Sequence, residues 1–302
     1  MAIERIAILG TGLIGGSVGM ALRQNGFTGP ILGWDREVVQ AAIALARETI
    51  TEIAGDPITA AQQSDVVLLS GPVFSILEWL EKLAPVLRPD QLVTDVGSVK
   101  GILCERAAGL YNQPGRPGFL PGHPMAGKEV SGAANADGSI FHGAVWLFTE
   151  GADGAEMSAE ARERANAWRE WTHRFGCRTI DLDPKRHDEL CAWVSHLPQF
   201  VSTALSALLE DKFRDDEDLR AIGGRALREM TRLGASPYSM WRDIAHTNEE
   251  AVAASLYALE QRLTHLRENL KTPELRKEFD LANRFRLGRP HKPAKTEKRP
   301  NQ

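Results

Sequence analysis

The chain has 302 residues, of which 43% are apolar and 25% charged, enough for one large or two ordinary globular domains with a sizeable core. A net charge of −4 argues against a protein drawn by its overall charge to nucleic acid or a membrane surface. No apolar run approaches the ~18 residues of a membrane span, and no charged-then-apolar leader opens the chain. The three cysteines, Cys104, Cys177 and Cys191, lack metal-ligand spacing, so reduced thiols in a cytoplasmic protein without a metal site are expected.

"RIAILG" opens the pattern as a short apolar run ending in glycine, the mark of a buried parallel strand. "LIGGSVGMALRQNG" follows with helical spacing. "GPILGWD" reads as a second strand, "REVVQAAIALARET" as a helix, "DVVLLSGP" as a third strand and "FSILEWLEKLAPVL" as its helix. "QLVTDVGSVK" and "GILCERAAGL" complete a fourth pair. Such alternation predicts right-handed βαβ units and a parallel sheet with helices on both faces. After Gly122 the rhythm changes. The stretch "GHPMAGKEVSG" reads as a loop, followed by a strand in "GAVWLFTE", a long amphipathic helix and a last strand in "CRTIDLD".

From Pro184 onward only helix-period apolar spacing remains. The expected organisation is an α/β, Rossmann-type dinucleotide-binding domain over residues 1–183, an all-helical dimerisation domain over 184–285, and a disordered basic tail over 286–302. Between Lys271 and Gln302 stand ten Lys/Arg against four Asp/Glu, and the Pro/Lys-rich end has no apolar period. The helical segment carries more apolar surface than a small domain can bury alone, which fits a homodimer.

"GTGLIGG" places Gly10, Gly12 and Gly15 after a strand and at the opening of a helix. Such glycines allow a tight turn, let backbone approach a pyrophosphate and let helix pack on strand. The amides at the helix start, from Gly12 through Leu13, Ile14 and Gly15, would face the phosphates. Asp35 closes the second strand 20 residues after Gly15. It would accept hydrogen bonds from ribose hydroxyls and repel a 2′-phosphate, which favours NAD. Arg36 beside it keeps NADP as the alternative. Ser70 and Gly71, after the third strand, should border the same groove.

Two more loops leave strand ends on that side. "DVGSVKG" offers Asp95, Ser98 and Lys100, and the loop from Gly122 offers His123 and Lys128. A lone histidine in a Gly/Pro-rich loop is more often structural than catalytic, and the residue types alone do not assign it a reaction. His187 reads as a structural histidine with a possible place on the cleft.

Taken in order, "ILGTGLIGGS", "DVGSVK", "GHPMAG", "FHGAVW", "SHLPQ" and "MTRLG…MWRDI" resemble the prephenate/arogenate dehydrogenases of tyrosine biosynthesis. The resemblance covers about residues 3–285. It implies NAD(P)-dependent oxidative decarboxylation of a cyclohexadienol, with prephenate giving 4-hydroxyphenylpyruvate, and with arogenate or dual cyclohexadienyl activity as the alternative. It implies that His123 accepts the proton, that Ser98 orients hydroxyl or imidazole, and that His196 and Arg232 hold the substrate. Arg242 is either a further substrate contact or one side of an interdomain ion pair with an acid. Lys128 departs from the threonine frequent at that place in the family. A carboxylate at Glu129, if near the substrate's amine, would favour arogenate. A 3-hydroxyacid-type dehydrogenase and a non-catalytic cofactor-sensing module remain as more distant readings. Neither nucleic acid nor membrane is expected as a partner.

Overall fold

The structure, a computed structural model, describes residues 3–149 and 157–288. The first part runs β1 (Ile6–Leu9), α1 (Leu13–Gln24), β2 (Ile31–Trp34), α2 (Val38–Ala46), β3 (Glu52–Ile53), α3 (Pro57–Gln62), β4 (Val66–Leu69), α4 (Val73–Leu83), β5 (Leu92–Asp95), α5 (Gly101–Ala107) and β6 (Gly118–Leu120). These six strands form one parallel sheet in the order β3-β2-β1-β4-β5-β6. The chain leaves β1 toward one edge and returns past it to build the other. Right-handed crossovers in both directions put helices on both faces. The sheet shows why its strands read as continuous apolar runs. Ile6, Ile8, Val66 and Leu68 enter one buried cluster, while Ala7, Leu9, Val67 and Leu69 enter another across the sheet. Both faces are covered, so neither can be polar.

A second, three-stranded sheet follows: β7 (Gly122–Pro124), β8 (Val145–Phe148) and, after helix α6 (Ala159–Arg174), β9 (Arg178–Asp181). β7 runs antiparallel to β8, with His123 opposite Leu147, and β9 runs parallel to β8. Trp146 of β8 and Trp168 of α6 are fully buried with rings edge to face. Aromatic pairs of this kind add about 0.5–1.5 kcal/mol beyond area burial, and this one clamps α6 to the strand facing His123.

The remaining described elements are helical: α7 (Pro184–Cys191), a π turn (Ala192–His196), α8 (Leu197–Phe213), α9 (Glu217–Ile222), α10 (Arg225–Thr231), α11 (Tyr238–Thr247), α12 (Glu249–Glu268) and α13 (Glu274–Leu287), with a 3-10 turn at Arg232–Ala235. The α7 start is strongly encoded. Pro184 occupies the first turn and the Asp183 carboxylate accepts from the amides of Lys185 and Arg186. The π turn coincides with Pro198, which has no amide hydrogen for the carbonyl four residues earlier. The ladder shifts register there, a feature frequent at functional sites. Gly223 and Gly224 divide α9 from α10, where the sequence pattern reads as one helix.

The described residues fall into two compact units, one through Val252 and one from Ala253. The nine strands found among the described residues belong to the first. The expected division at 183/184 separates secondary-structure types, whereas the thinning of contacts comes at 252/253. Among the described residues, no helix is long and apolar enough to cross a membrane. The expected tail starts at 286, but α13 continues through Leu287. Gly288, at φ 77°, is the first residue with a backbone that leaves the helix. Residues 289–302 lie outside the described residues.

Candidate active site

Because the large sheet is parallel, its strands deliver their following residues to one edge: Gly10 after β1, Asp35 after β2, Ser70 and Gly71 after β4, Val96–Lys100 after β5, and Gly122 after β6. Gly10 has φ +104°, and a Cβ there would stand 2.2 Å from the Ser70 carbonyl oxygen. A Cβ on Gly15 would stand 2.0 Å from the Gly10 carbonyl oxygen. Both positions are closed to any side chain. Gly12 is different, since nothing lies within 4 Å of its missing Cβ. It is the N-cap of α1 and brings no side-chain cap. The first-turn amides of Leu13, Ile14 and Gly15 therefore have no side-chain cap, which suits a pyrophosphate. Asp35 accepts from the Thr11 amide (2.8 Å) through one oxygen and from the Glu37 amide (3.0 Å) through the other. It also accepts from the Thr11 hydroxyl at 3.3 Å; a carboxylate has about four acceptor positions, so the fixed group retains capacity for a ribose hydroxyl. Arg36 is exposed beside it. These residues fit a dinucleotide.

Asp95, wholly buried at the end of β5, organises the next stretch. Its carboxylate accepts from the amides of Gly97 (2.8 Å) and Gly122 (3.1 Å) and pairs with the Lys100 ammonium. It thereby ties the Ser98 loop to the first residue of β7. Lys100 stands near the reactive end, as expected, but is wholly buried in this pair. Lys128 is also engaged, with the Asp137 carboxylate at 3.0 Å and the Asn135 carbonyl at 3.3 Å.

His123 stands in β7 and is only 7% exposed. The expectation that "GHPMAGKEVSG" is loop throughout is corrected here, because pairing with β8 makes its first three residues a strand. The short hydrogen bond of its imidazole is to His187: His123 Nδ1 lies 2.9 Å from His187 Nε2, with Cys191 Sγ farther off at 3.9 Å. His187 Nδ1 lies 2.8 Å from the Asp188 carboxylate. That carboxylate also accepts from the amides of Lys100 (2.7 Å) and Gly101 (2.8 Å) at the start of α5. His187 and Asp188 thus belong to the site, which the sequence reading assigned at most to its border. The signal was available in part: His187 and Cys191 lie one helical turn apart on α7, on the face that meets β7.

Burial and neighbouring positive character hold these rings neutral. Desolvation, then His187, Lys100 and His196, lower the His123 pKa well below the usual histidine value. Desolvation lowers His187 despite the opposing Asp188 hydrogen bond. His196, at the end of the π turn, is pushed down to about 4, chiefly by burial. The Asn248 amide nitrogen donates to the Asp188 carbonyl at 3.0 Å and lies 3.3 Å from His196 Nδ1. His196 Nδ1 is then the acceptor, and its Nε2 carries the hydrogen. That Nε2 is buried without a hydrogen-bond partner among the described residues. A buried donor of this kind calls for a ligand oxygen.

His123, His187 and Cys191 bring three metal-capable atoms within 4.8 Å of one another. The 2.9 Å His–His separation is that of a hydrogen bond. Two imidazole nitrogens on one tetrahedral ion, each about 2.0–2.1 Å from it, stand about 3.3 Å apart. Burial also pushes the Cys191 thiol up to about 12.

Arg232 and Glu129 form an ion pair with each other. Arg232 keeps a 60% exposed side chain. Arg242 bonds the carboxylate of adjacent Asp243 at 2.6 Å, and Asp243 also accepts from the Phe74 amide at 3.3 Å. The acid that Arg242 pairs with is the adjacent residue on its own helix, not one from the other domain as the interdomain ion-pair reading had it.

The chain is similar to known proteins over most of its length. Residues 18–168 match the family description "Prephenate dehydrogenase, nucleotide-binding domain", and residues 183–285 match "Prephenate dehydrogenase, dimerization domain". The chain is 30% identical over 249 residues to a prephenate dehydrogenase of Lactococcus lactis subsp. cremoris, covering 82% of this chain and 66% of that protein. It spans just under two thirds of the length of the first curated relatives it matches. A crystal structure of prephenate dehydrogenase from A. aeolicus, in complex with hydroxyphenyl propionate and NAD+, matches with a TM-score of 0.83. Identity is 29%, with 95% of this chain and 98% of that one covered. Synechocystis arogenate dehydrogenase matches with a TM-score of 0.71 and 29% identity, over 94% and 99% of the two chains.

Proposed function

Because the chain belongs to the prephenate dehydrogenase family, we propose that it oxidises and decarboxylates a cyclohexadienol, prephenate first, in tyrosine biosynthesis. The observation that carries this reading is His123: a buried, neutral imidazole at the same sheet edge as the glycine turn and Asp35. Bound over Gly12 with its ribose at Asp35, NAD would supply the hydride acceptor. His123 accepts the ring hydroxyl's proton while the carbon bearing it gains carbonyl character. Loss of the ring carboxylate as CO2 follows because the ring becomes aromatic. Ser98, on the loop held by Asp95, orients the hydroxyl. His196 offers its Nε2 hydrogen to a substrate oxygen.

The substrate's carboxylates call for a fork of donors. Arg232, itself paired with Glu129 but the most exposed of the three candidate cations, supplies one; Lys128 and Arg242, paired with Asp137 and Asp243, are less exposed. Glu129 spends its charge on Arg232, which leaves less for an ammonium group and favours prephenate over arogenate. NADH production with the two substrates side by side tests this. Faster turnover of arogenate would overturn the preference, and no turnover of either would overturn the activity.

Asp35 supports NAD over NADP. Tryptophan-fluorescence titration with both should show tighter NAD binding, and tighter NADP binding would reverse the assignment. A homodimer is supported by the exposed apolar residues Leu208, Ile222 and Tyr238 and, further along, Tyr257, Phe279 and Phe285. Light scattering at about twice 33.2 kDa is the expected result, and a monomer would rule the dimer out.

A further inference from the structure

We propose that His187, backed by Asp188, is the positioning residue that fixes which nitrogen of His123 carries the lone pair offered to the substrate. The inference rests on the reading of His123 as proton acceptor and names what makes that acceptor competent.

The hydrogen-bond chain has a single direction. The Asp188 carboxylate can only accept, and it is held by the amides of Lys100 and Gly101 at 2.7 and 2.8 Å. His187 Nδ1, 2.8 Å away, must therefore be the protonated nitrogen of its ring. In a neutral imidazole the other nitrogen is then an acceptor. His187 Nε2 accordingly accepts from His123 Nδ1 at 2.9 Å. The remaining nitrogen of His123, Nε2, is left with its lone pair. Reversing the direction would require a hydrogen on both nitrogens of His187, and burial disfavours that charged ring. Cys191 Sγ stands 3.6 Å from His187 Nε2 and 3.9 Å from His123 Nδ1. Its thiol closes the side of the pair without supplying a charge.

This arrangement also prepares the product of the step. As the substrate O–H bond breaks, its hydrogen forms a bond to His123 Nε2. The oxygen's electron pair becomes the second bond of the carbonyl, and hydride leaves the ring carbon for the oxidised nicotinamide. His123 becomes an imidazolium that keeps its Nδ1 hydrogen. Around it, Lys100 opposes that charge, and Lys100 is itself neutralised by Asp95. His187 faces the charge with a lone pair, and Asp188 lies beyond with its negative charge. The carboxylate acts through His187, at one remove from the substrate. The position therefore asks for a group that accepts on the His123 side and donates on the Asp188 side.

A glutamine can do both through its amide, and a leucine can do neither. Two measurements separate this role from simple packing. In 15N-histidine-labelled protein, NMR should show His123 protonated at Nδ1 in the wild type and in His187→Gln, and a shift toward Nε2 protonation in His187→Leu. In turnover, His187→Leu should lose about 10²-fold in kcat, the scale of a misoriented catalytic group, with KM and NAD binding near wild type. His187→Gln should recover most of that loss. Nε2 protonation of His123 in the wild type would overturn the proposal even if a variant failed to fold. Equal kcat in the Leu and wild-type proteins would also overturn it. The tautomer readout needs no turnover, so failure of the proposed activity would be seen separately, as a wild type with the expected tautomer and no NADH formed from either substrate.

Discussion

His123 can serve as a base because its surroundings keep it uncharged. Desolvation and three nearby groups lower its pKa, so at neutral pH the ring is available as an acceptor. His123→Asn keeps a polar group of similar reach without a basic nitrogen. Its kcat should fall by roughly 10²–10⁴, the usual contribution of a positioned acid/base, with NAD binding retained. Stopped-flow turnover would check this, and a kcat like that of the wild type would remove His123 from the chemistry. Arg232 has a different task. Its guanidinium holds a carboxylate rather than a reacting atom, so Arg232→Ala should act mainly on KM. A fall in kcat at unchanged KM would reassign it.

Among elements, the junction of β5, β7 and α5 matters most. Asp95 joins the β5 end to the Ser98 loop and to Gly122, while Asp188 reaches from α7 to the start of α5. Two carboxylates thus stitch four segments around His123. Removing one partner of a buried pair leaves the other charge uncompensated, at about 3–5 kcal/mol. Asp95→Asn should therefore lower stability on that scale, as read by urea unfolding. The double variant Asp95→Asn/Lys100→Met should regain part of it. If the single variant unfolds like the wild type, Lys100 is finding another partner. The short strands β3, β6 and β7 escape the sequence pattern because two or three residues cannot display a period. Only pairing with a neighbouring strand defines them. The π turn before Pro198 is hidden for a related reason, since a proline inside a helical pattern announces a disturbance without fixing its form.

Across the molecule, three buried histidines link stability to pH. Each has a native pKa below that of the unfolded chain. As pH falls below about 6.5, the unfolded state takes up protons that the native state refuses, so stability is lost on the acid side and retained above. For His196 the shift from about 6.5 to about 4 is worth roughly 3 kcal/mol once pH reaches about 4. Thermal unfolding between pH 7 and 4 should show a falling Tm, with a shallower fall in His196→Gln. A Tm independent of pH would mean that these rings charge in the native state.

The amino-acid order was enough to specify the α/β architecture, the glycine turn with Asp35, and the candidate status of His123, His196 and Arg232. Those features are local: apolar runs, glycines at fixed offsets, and short motifs in a set order. Partnership was not legible in the same way. The acids that Lys100 and Lys128 pair with, Asp95 and Asp137, are set against them only by folding. Arg232 and Glu129 are 103 positions apart in the sequence and meet as an ion pair. His187, 64 positions from His123, becomes its hydrogen-bond partner only when α7 is laid against β7. The distinction follows from the physics. A side chain's chemistry is written in its identity, but its charge state, tautomer and availability depend on the groups that tertiary packing brings within hydrogen-bond reach.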